Sequence, residues 1–392
     1  MIVGVPREIY PGERRVALVP AAVPGLAKAG IEVVVEAGAG EAAGYPDDAF
    51  RAKGARVLAG RGEVFGAADV VVQVLCHGAN DRNGDADLPL LREGQALIGF
   101  LRPFGSLGAV EAIAARGVAS FSVELMPRIT RAQSMDALSS MASIAGYKAV
   151  LLAADSLPRF FPMLTTAAGT ITPARLLVIG AGVAGLQAIA TSRRLGAVTS
   201  AYDLRPAAKE QVQSLGARFV ELPVEVKDAE DARGYAKAQD EEFYRRQREL
   251  LGRVVAESDV VVTTAVVPGK KAPVLVTGEM VAAMAPGSVI VDLAAERGGN
   301  CELTRPGEVA QAHGVTIIGL FNLAGTVPYH ASQMYARNLS TFLLHLVKEG
   351  SLRIDPGDEI TRDTLLTRGG EIVQPRVREF FSLPADAAEP RG

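Results

Sequence analysis

The chain has no tryptophan, only 5% aromatic residues and just two cysteines, Cys76 and Cys301, among 392 residues. Two isolated cysteines exclude a disulfide framework and a Cys-x-x-Cys metal signature, and they suit a reducing cytoplasm. Cys76-His77 has no further cysteine or histidine near it, so the sequence predicts no metal site. A large excess of charge of one sign is missing too. The formal net charge is −3, and no basic cluster is interleaved with aromatics, which removes the electrostatic case for a nucleic-acid partner. The start Met1-Ile2-Val3-Gly4-Val5 reads directly as a strand with no basic leader, so no signal peptide is expected. Leu339 to Val347, the most apolar late segment, is far below the ~20 residues that a spanning helix needs, and the chain is expected to be soluble.

What the chain has in quantity is Ala, Val, Leu and glycine, with a hydrophobic fraction of 48% and 41 glycines. That composition suits buried parallel strands alternating with turns and helices. Apolar runs at Ile2–Val5, Ile31–Val35, Asp69–Leu75, Ala96–Leu101 and Val118–Val123 alternate with helical patterns such as Ala21–Ala29 and Leu107–Arg116. A second series begins at Leu176 and continues through Arg218–Glu221, Asp259–Thr264, Val289–Leu293 and Val315–Gly319. The length favours two domains. The expected architecture is therefore α/β, with two doubly wound Rossmann-like domains joined by long helices and a cleft between them. The joining helices are read at Gln133–Ala154 and at about Tyr329–Lys348. If the chain returns to the first domain after the second series, that domain comprises 1–138 plus 323–383, the second spans 139–322, and 384–392 forms a flexible tail.

The most informative stretch is Leu176-Leu177-Val178-Ile179-Gly180-Ala181-Gly182-Val183-Ala184-Gly185, followed by Val198-Thr199-Ser200-Ala201-Tyr202-Asp203. It reads as strand, Gly-x-Gly-x-x-Gly turn, helix, and a second strand ending in a carboxylate roughly 20 residues on. Gly180 and Gly182 let the backbone turn and approach a pyrophosphate, Gly185 lets helix and strand pack closely, and the helix N-terminus offers N–H groups to the anion. Asp203 would accept hydrogen bonds from the adenosine ribose and repel a 2′-phosphate, so NAD(H) is the expected cofactor. Arg205, two residues later, either meets a 2′-phosphate or opens the following helix with its charge in solvent; the second is expected. Between the strands at Arg218 and Asp259 lies a long excursion, highly charged over Leu222 to Lys237 and amphipathic over Asp240 to Glu257. It is either a solvated insertion or a lid, with Gly234 as hinge beside Tyr235.

Several segments jointly carry a resemblance: Pro6-Arg7-Glu8 with Glu13-Arg14-Arg15-Val16-Ala17-Leu18, Pro127-Arg128-Ile129-Thr130-Arg131-Ala132-Gln133-Ser134-Met135-Asp136-Ala137-Leu138-Ser139-Ser140, Asp203-Leu204-Arg205-Pro206, Gly234-Tyr235-Ala236-Lys237, Thr263-Thr264-Ala265-Val266-Val267-Pro268-Gly269-Lys270, and Val291-Asp292-Leu293-Ala294-Ala295-Glu296-Arg297-Gly298-Gly299. Together they resemble the NAD(H)-binding alpha subunit, or domain I, of proton-translocating nicotinamide nucleotide transhydrogenase, over nearly the whole chain. The resemblance implies direct hydride transfer between NADH here and NADP(H) held on a partner, coupled to proton movement by a membrane proton-channel subunit. It also implies a homodimer, split from its membrane partners and docked at the inner face of the cell membrane.

The same resemblance implies site residues. Arg128, Gln133, Asp136 and Ser139 would act on the nicotinamide, with Ser134 and Met135 beside them. Val183 would pack at the pyrophosphate turn, and Asp203, Leu204 and Arg205 would hold the adenosine. Thr264, Ala265 and Val267 would line the groove, and Gly234 and Tyr235 would form a mobile lid. If the chain is helical from Gln133 onward, Gln133, Asp136 and Ser139 share one face; alternatively, Ser134 or Asp136 simply caps the long helix. The alternative family is alanine dehydrogenase. There a lysine, a histidine and a late aspartate serve the keto acid, and Gln73, Arg102 and Glu296 are the residues paired with them here. Hydride exchange between nicotinamides moves no heteroatom proton, so it needs placement and exclusion of water but no acid–base partner.

Overall fold

A computed structural model describes residues 1–221, 241–266 and 270–384. The chain divides into two compact units, one formed by 1–141 with 325–392 and the other by 142–324. The C-terminal residues 385–392 lie outside the described residues.

The first unit is built on β1 (Ile2–Val5), β2 (Glu32–Glu36), β3 (Arg56–Leu58), β4 (Val70–Leu75), β5 (Ala96–Phe100) and β6 (Ala119–Ser122), all parallel. Valine dominates β1, β2 and β4 because both faces of a parallel sheet are covered by helices. Val71 and Leu97 pack on one face with Val110, Ile113 and Val377. The chain order reverses direction between β1 and β4, the switch point of a doubly wound sheet.

The strands of the second unit begin with a hairpin, β7 (Leu164–Thr166) and β8 (Gly169–Ile171), and continue with β9 (Arg175–Ile179), β10 (Val198–Tyr202), β11 (Arg218–Phe219), β12 (Val260–Thr263), β13 (Val289–Asp292), β14 (Val309–Ala312) and β15 (Val315–Ile318). The sheet order is β11-β10-β9-β12-β13-β15-β14, with β14 antiparallel, so the switch point lies between β9 and β12. Strand periodicity of two sorts the core onto two faces. Leu176 and Val178 face Ala149, Val150, Ala188 and Ile189, whereas Leu177 and Ile179 face Leu251, Val255 and Val281. After the second unit the chain forms a two-stranded ribbon, β16 (Val347–Lys348) with β17 (Ser351–Leu352), then β18 (Leu365–Arg368) and β19 (Glu371–Ile372). β18 joins the first sheet antiparallel to β6.

Two long helices match the apolar periodicity, at Ala137–Ser156 and Pro328–Leu346. The first begins four residues later than the sequence suggests. Thr130–Met135 forms a separate 3-10 turn, and Asp136, with ψ 88°, breaks it from the helix. By length and composition alone Ala137–Ser156 is also long and apolar enough to cross a membrane, with a mean hydropathy of 1.4, which the late segment at 339–347 is not. Within the second unit its Ala149, Val150 and Ala153 are core residues. Its Gly146 lies against the helix Val183–Arg194 so closely that an added Cβ would sit 2.0 Å from the carbonyl oxygen of Ala184.

Candidate functional site

In the second unit β9, β10 and β12 end together, and the residues beyond their carboxyl ends are the ones the sequence singles out. Gly180 leaves β9 at φ +98°, and an added Cβ would lie 2.6 Å from the Thr264 hydroxyl oxygen. The Thr264 hydroxyl donates to the Gly180 carbonyl at 2.8 Å, and the Gly180 N–H donates to the Tyr202 carbonyl at 2.8 Å. The turn is therefore stitched to both neighbouring strands. An added Cβ on Gly185 would fall 1.8 Å from the Gly180 carbonyl oxygen, so only glycine permits this approach of helix to turn. Gly182 is different: nothing lies within 4 Å of an added Cβ. It is the N-cap of the helix Val183–Arg194 and contributes no capping side chain, so the helix meets open space with its positive dipole end. Val183, the first helical residue, is 38% exposed beside it.

Asp203 follows β10, its side chain only 6% exposed. One carboxylate oxygen accepts from the Ala181 N–H at 2.6 Å, and the other accepts from the Arg205 N–H at 2.8 Å. The Arg205 guanidinium adds bonds to both oxygens, at 3.0 and 3.1 Å. This corrects the expectation of a solvent-facing Arg205: its side chain is 18% exposed and folded back on Asp203. The reason is electrostatic, since a nearly buried carboxylate two residues away is the strongest acceptor in reach. Four donor atoms thus reach its two oxygens, and Leu204 between the pair is half-buried.

Sequence reasoning missed Asn300. Fully buried, it accepts from the Ala265 N–H at 2.9 Å and donates to the carbonyls of Ala265 and Pro273, each at 2.8 Å. A side-chain amide thus replaces a strand partner and fixes the groove loop after β12. Asp292 in turn accepts from the Asn300 N–H at 2.8 Å. The signal in the sequence is Gly298-Gly299-Asn300, whose glycines take φ +95° and +83°. Gly234, Tyr235 and Val267 lie outside the described residues.

In the first unit the Thr130–Met135 turn exposes Gln133 and Ser134 and buries Met135. Asp136 caps the helix Ala137–Ser156: its carboxylate accepts from the Ser139 N–H at 2.9 Å and from the Ser139 hydroxyl at 2.6 Å. Because the capping geometry requires a non-helical residue here, Gln133 does not continue the helical face of Asp136 and Ser139. Arg128 is exposed before the turn.

The switch point of the first unit is occupied by its own charges. Arg15 and Glu13, both buried, form a two-pronged pair at 2.8 and 2.6 Å. Arg61 holds Asp87 at 2.6 and 2.7 Å. Gln73 is buried and donates to Asp87 at 2.9 Å, while its carbonyl accepts from the Tyr335 hydroxyl. Glu124 accepts from the N–H groups of Leu101 and Arg102, and burial raises its pKa. Arg102 stands at φ +52°. Glu296, in the second unit, accepts from the Asn322 N–H at 3.3 Å.

The fold and the glycine turn define a Rossmann-type nucleotide-binding protein. Residues 4–145 match the N-terminal domain and residues 149–375 the C-terminal domain described as "Alanine dehydrogenase/PNT", and the chain belongs to that family. Within it, the chain is 47% identical to the first portion of NAD(P) transhydrogenase subunit alpha of Rhodospirillum rubrum, over 96% of this chain and 98% of that protein. It is 29% identical to alanine dehydrogenase of Mycolicibacterium smegmatis over 99% of each. Among solved structures, transhydrogenase from Sinorhizobium meliloti aligns with a TM-score of 0.83 at 44% identity, covering 96% of this chain and 100% of that one. An L-alanine dehydrogenase structure aligns at 0.81 and 25% identity, covering 97% and 99%.

Proposed function

We propose that this chain is the NAD(H)-binding subunit of a proton-translocating transhydrogenase, passing hydride directly between its own NADH and NADP held by a partner subunit. The observation that carries the reading is the turn at Gly180 to Gly185. It is closed to a side chain at Gly185, open at Gly182, and ends opposite the carboxylate of Asp203. The pyrophosphate would sit over Gly182 on the helix N-terminus, and the adenosine ribose against Asp203, with Leu204, Arg205, Thr264 and Ala265 along the nucleotide. The bound nicotinamide supplies the hydride chemistry. Arg128, Gln133, Asp136 and Ser139 would orient the ring and its carboxamide and keep water away.

Similarity to proteins named as transhydrogenase alpha subunits supports partners of the same complex: an NADP(H)-binding subunit and a membrane proton channel that would hold this chain at the inner face of the membrane. The β7–β8 hairpin supports a homodimer. All six strand residues are exposed, Phe160 and Met163 beside it are 53% and 64% exposed, and an isolated two-stranded ribbon is marginal in water without something to cover it. The alanine dehydrogenase reading finds its paired side chains already engaged: the Gln73 amide with Asp87, the Arg102 guanidinium with Asp81 at 3.8 Å and the Glu296 carboxylate with the Asn322 N–H.

The test is hydride exchange between NADH and an NADP analogue, with the chain alone and after addition of an NADP-binding transhydrogenase domain, beside a control with alanine and NAD. Exchange appearing only on mixing is expected; turnover in the alanine control would overturn the reading. In the active mixture Asp136→Asn is expected to lower the exchange rate about tenfold or more with little change in NADH affinity. Because asparagine caps a helix as well as aspartate, an unchanged melting temperature would assign the loss to the carboxylate charge.

A further inference from the structure

The Thr130–Met135 segment that carries Gln133 is a single short 3-10 turn of six residues. Its backbone bonds include Ala132 N–H to the Ile129 carbonyl at 3.0 Å and, at its end, Asp136 N–H to the Gln133 carbonyl at 3.3 Å. Short 3-10 turns of this kind have poor hydrogen-bond geometry, so their shape depends on bonds from outside.

Two such bonds come from the C-terminal segment of the first unit. The Asn338 amide donates to the Ser134 carbonyl at 2.9 Å. The Arg131 guanidinium reaches the Asp358 carboxylate at 2.7 Å. Asp358 is itself fixed. Its second oxygen accepts from the Thr361 N–H at 2.9 Å and the Thr361 hydroxyl at 3.0 Å, and it faces the His345 Nε2 at 2.8 Å. Thr361 is 2% exposed, so the carboxylate is anchored to the core side of its helix. Asn338 and His345 lie seven residues apart on Pro328–Leu346, two helical turns, and hence on the same face. One helix face therefore grips the turn twice, directly at Ser134 and through Asp358 at Arg131.

We infer that Asp358, acting through Arg131, is a positioning residue for hydride transfer, holding the turn of Arg131 to Asp136 so that Gln133 and Asp136 keep fixed positions toward the nicotinamide. This rests on the transhydrogenase reading above. The Arg131–Asp358 pair is half in solvent, with Arg131 54% exposed, and such pairs contribute little to stability. Misplacement of reacting groups, in contrast, is costly to rate. The two effects can be separated by experiment.

The test uses the full chain mixed with an NADP-binding transhydrogenase domain, comparing wild type, Asp358→Asn, Asp358→Glu, Arg131→Gln and the double variant Arg131→Gln/Asp358→Asn. Exchange rate, NADH affinity by fluorescence and melting temperature are read for each. Asp358→Asn and Arg131→Gln are expected to slow exchange about tenfold, with NADH affinity within about twofold of wild type and melting temperature unchanged. Asp358→Glu is expected to recover most of the rate, and the double variant to be no slower than the slower single, since both break one link. Exchange within about twofold of wild type in both single variants would overturn the inference, as would a rate loss that tracks a fall in melting temperature or NADH affinity. A wild-type mixture with no exchange would instead overturn the parent reading, and this one with it.

Discussion

Gly182 and Gly185 stand three residues apart in one turn, yet their surroundings make opposite demands. At Gly185 the obstacle is the Gly180 carbonyl oxygen at 1.8 Å, a backbone atom that cannot swing aside. Gly185→Ala is therefore expected to destabilise the second unit by about 1–3 kcal/mol or more, seen as a lower melting temperature, and to abolish NADH binding. Gly182→Ala meets nothing within 4 Å and is expected to cost less than about 1 kcal/mol, the effect of a poorer N-cap. Its NADH affinity should nevertheless fall about tenfold or more, because the methyl group stands where a pyrophosphate would approach. Equal affinity in Gly182→Ala and wild type would place the nucleotide elsewhere. Arg205 offers a second contrast. With its guanidinium on both Asp203 oxygens, it neutralises the charge that would repel a 2′-phosphate. Arg205→Ala should leave Asp203 free for ribose hydroxyls and widen the preference for NADH over NADPH by about tenfold, measured as a ratio of dissociation constants. A narrower or unchanged preference would overturn this account of Arg205.

Among the elements, β4 shows how a local irregularity becomes a titration. Its register against β5 shifts between Val72 and Leu75, and the N–H groups of Val74 and Leu75 turn to the Glu8 carboxylate, at 2.6 and 3.1 Å. Burial, and next the charge of Glu13, push Glu8 from 4.5 up to about 8, although the two N–H bonds pull it back. The folded state then holds a proton that the unfolded chain releases. The stabilising contribution is complete below about 4.5 and is lost as pH rises through about 8. Wild type should therefore lose melting temperature relative to Glu8→Gln, by a few degrees, between about pH 6 and about pH 9. Parallel curves over that range would contradict the shift.

The same scale separates what could be read in the sequence from what could not. The run Leu176–Ile179 with its glycines, and the strand leading to Asp203, are local patterns of period two followed by a turn, and they are visible in the amino acids alone. The start of the helix at Ala137 was legible only as an alternative, with Asp136 as its cap, because apolar spacing continues through Thr130–Met135; the bond from the Ser139 N–H to Asp136 decides for the cap. Arg205, Glu8 and Asn300 escaped for a related reason. Each owes its state to partners that folding brings near, such as Val74 for Glu8 and Ala265 for Asn300, and no spacing rule encodes these.

For the molecule as a whole, the β7–β8 hairpin is where a second copy would be sought. Replacing Leu164–Ile171 by a short glycine-serine linker is expected to convert the proposed homodimer to a monomer in sedimentation, with NADH affinity unchanged because the hairpin lies outside the glycine turn. A dimer that survives would assign its contacts to another surface.

The division of the chain also has a temporal side. The first unit needs β18 and β19 from the far end of the sequence, whereas the second is one continuous segment, 142–324. On a ribosome moving at about 5–20 residues per second, the first unit waits roughly twelve to forty-six seconds for its missing strands. Throughout that interval β6 is an uncovered sheet edge. The inserted unit, although later in sequence order, is the first that can finish, and the earlier-made half is the one that depends on protection while it waits.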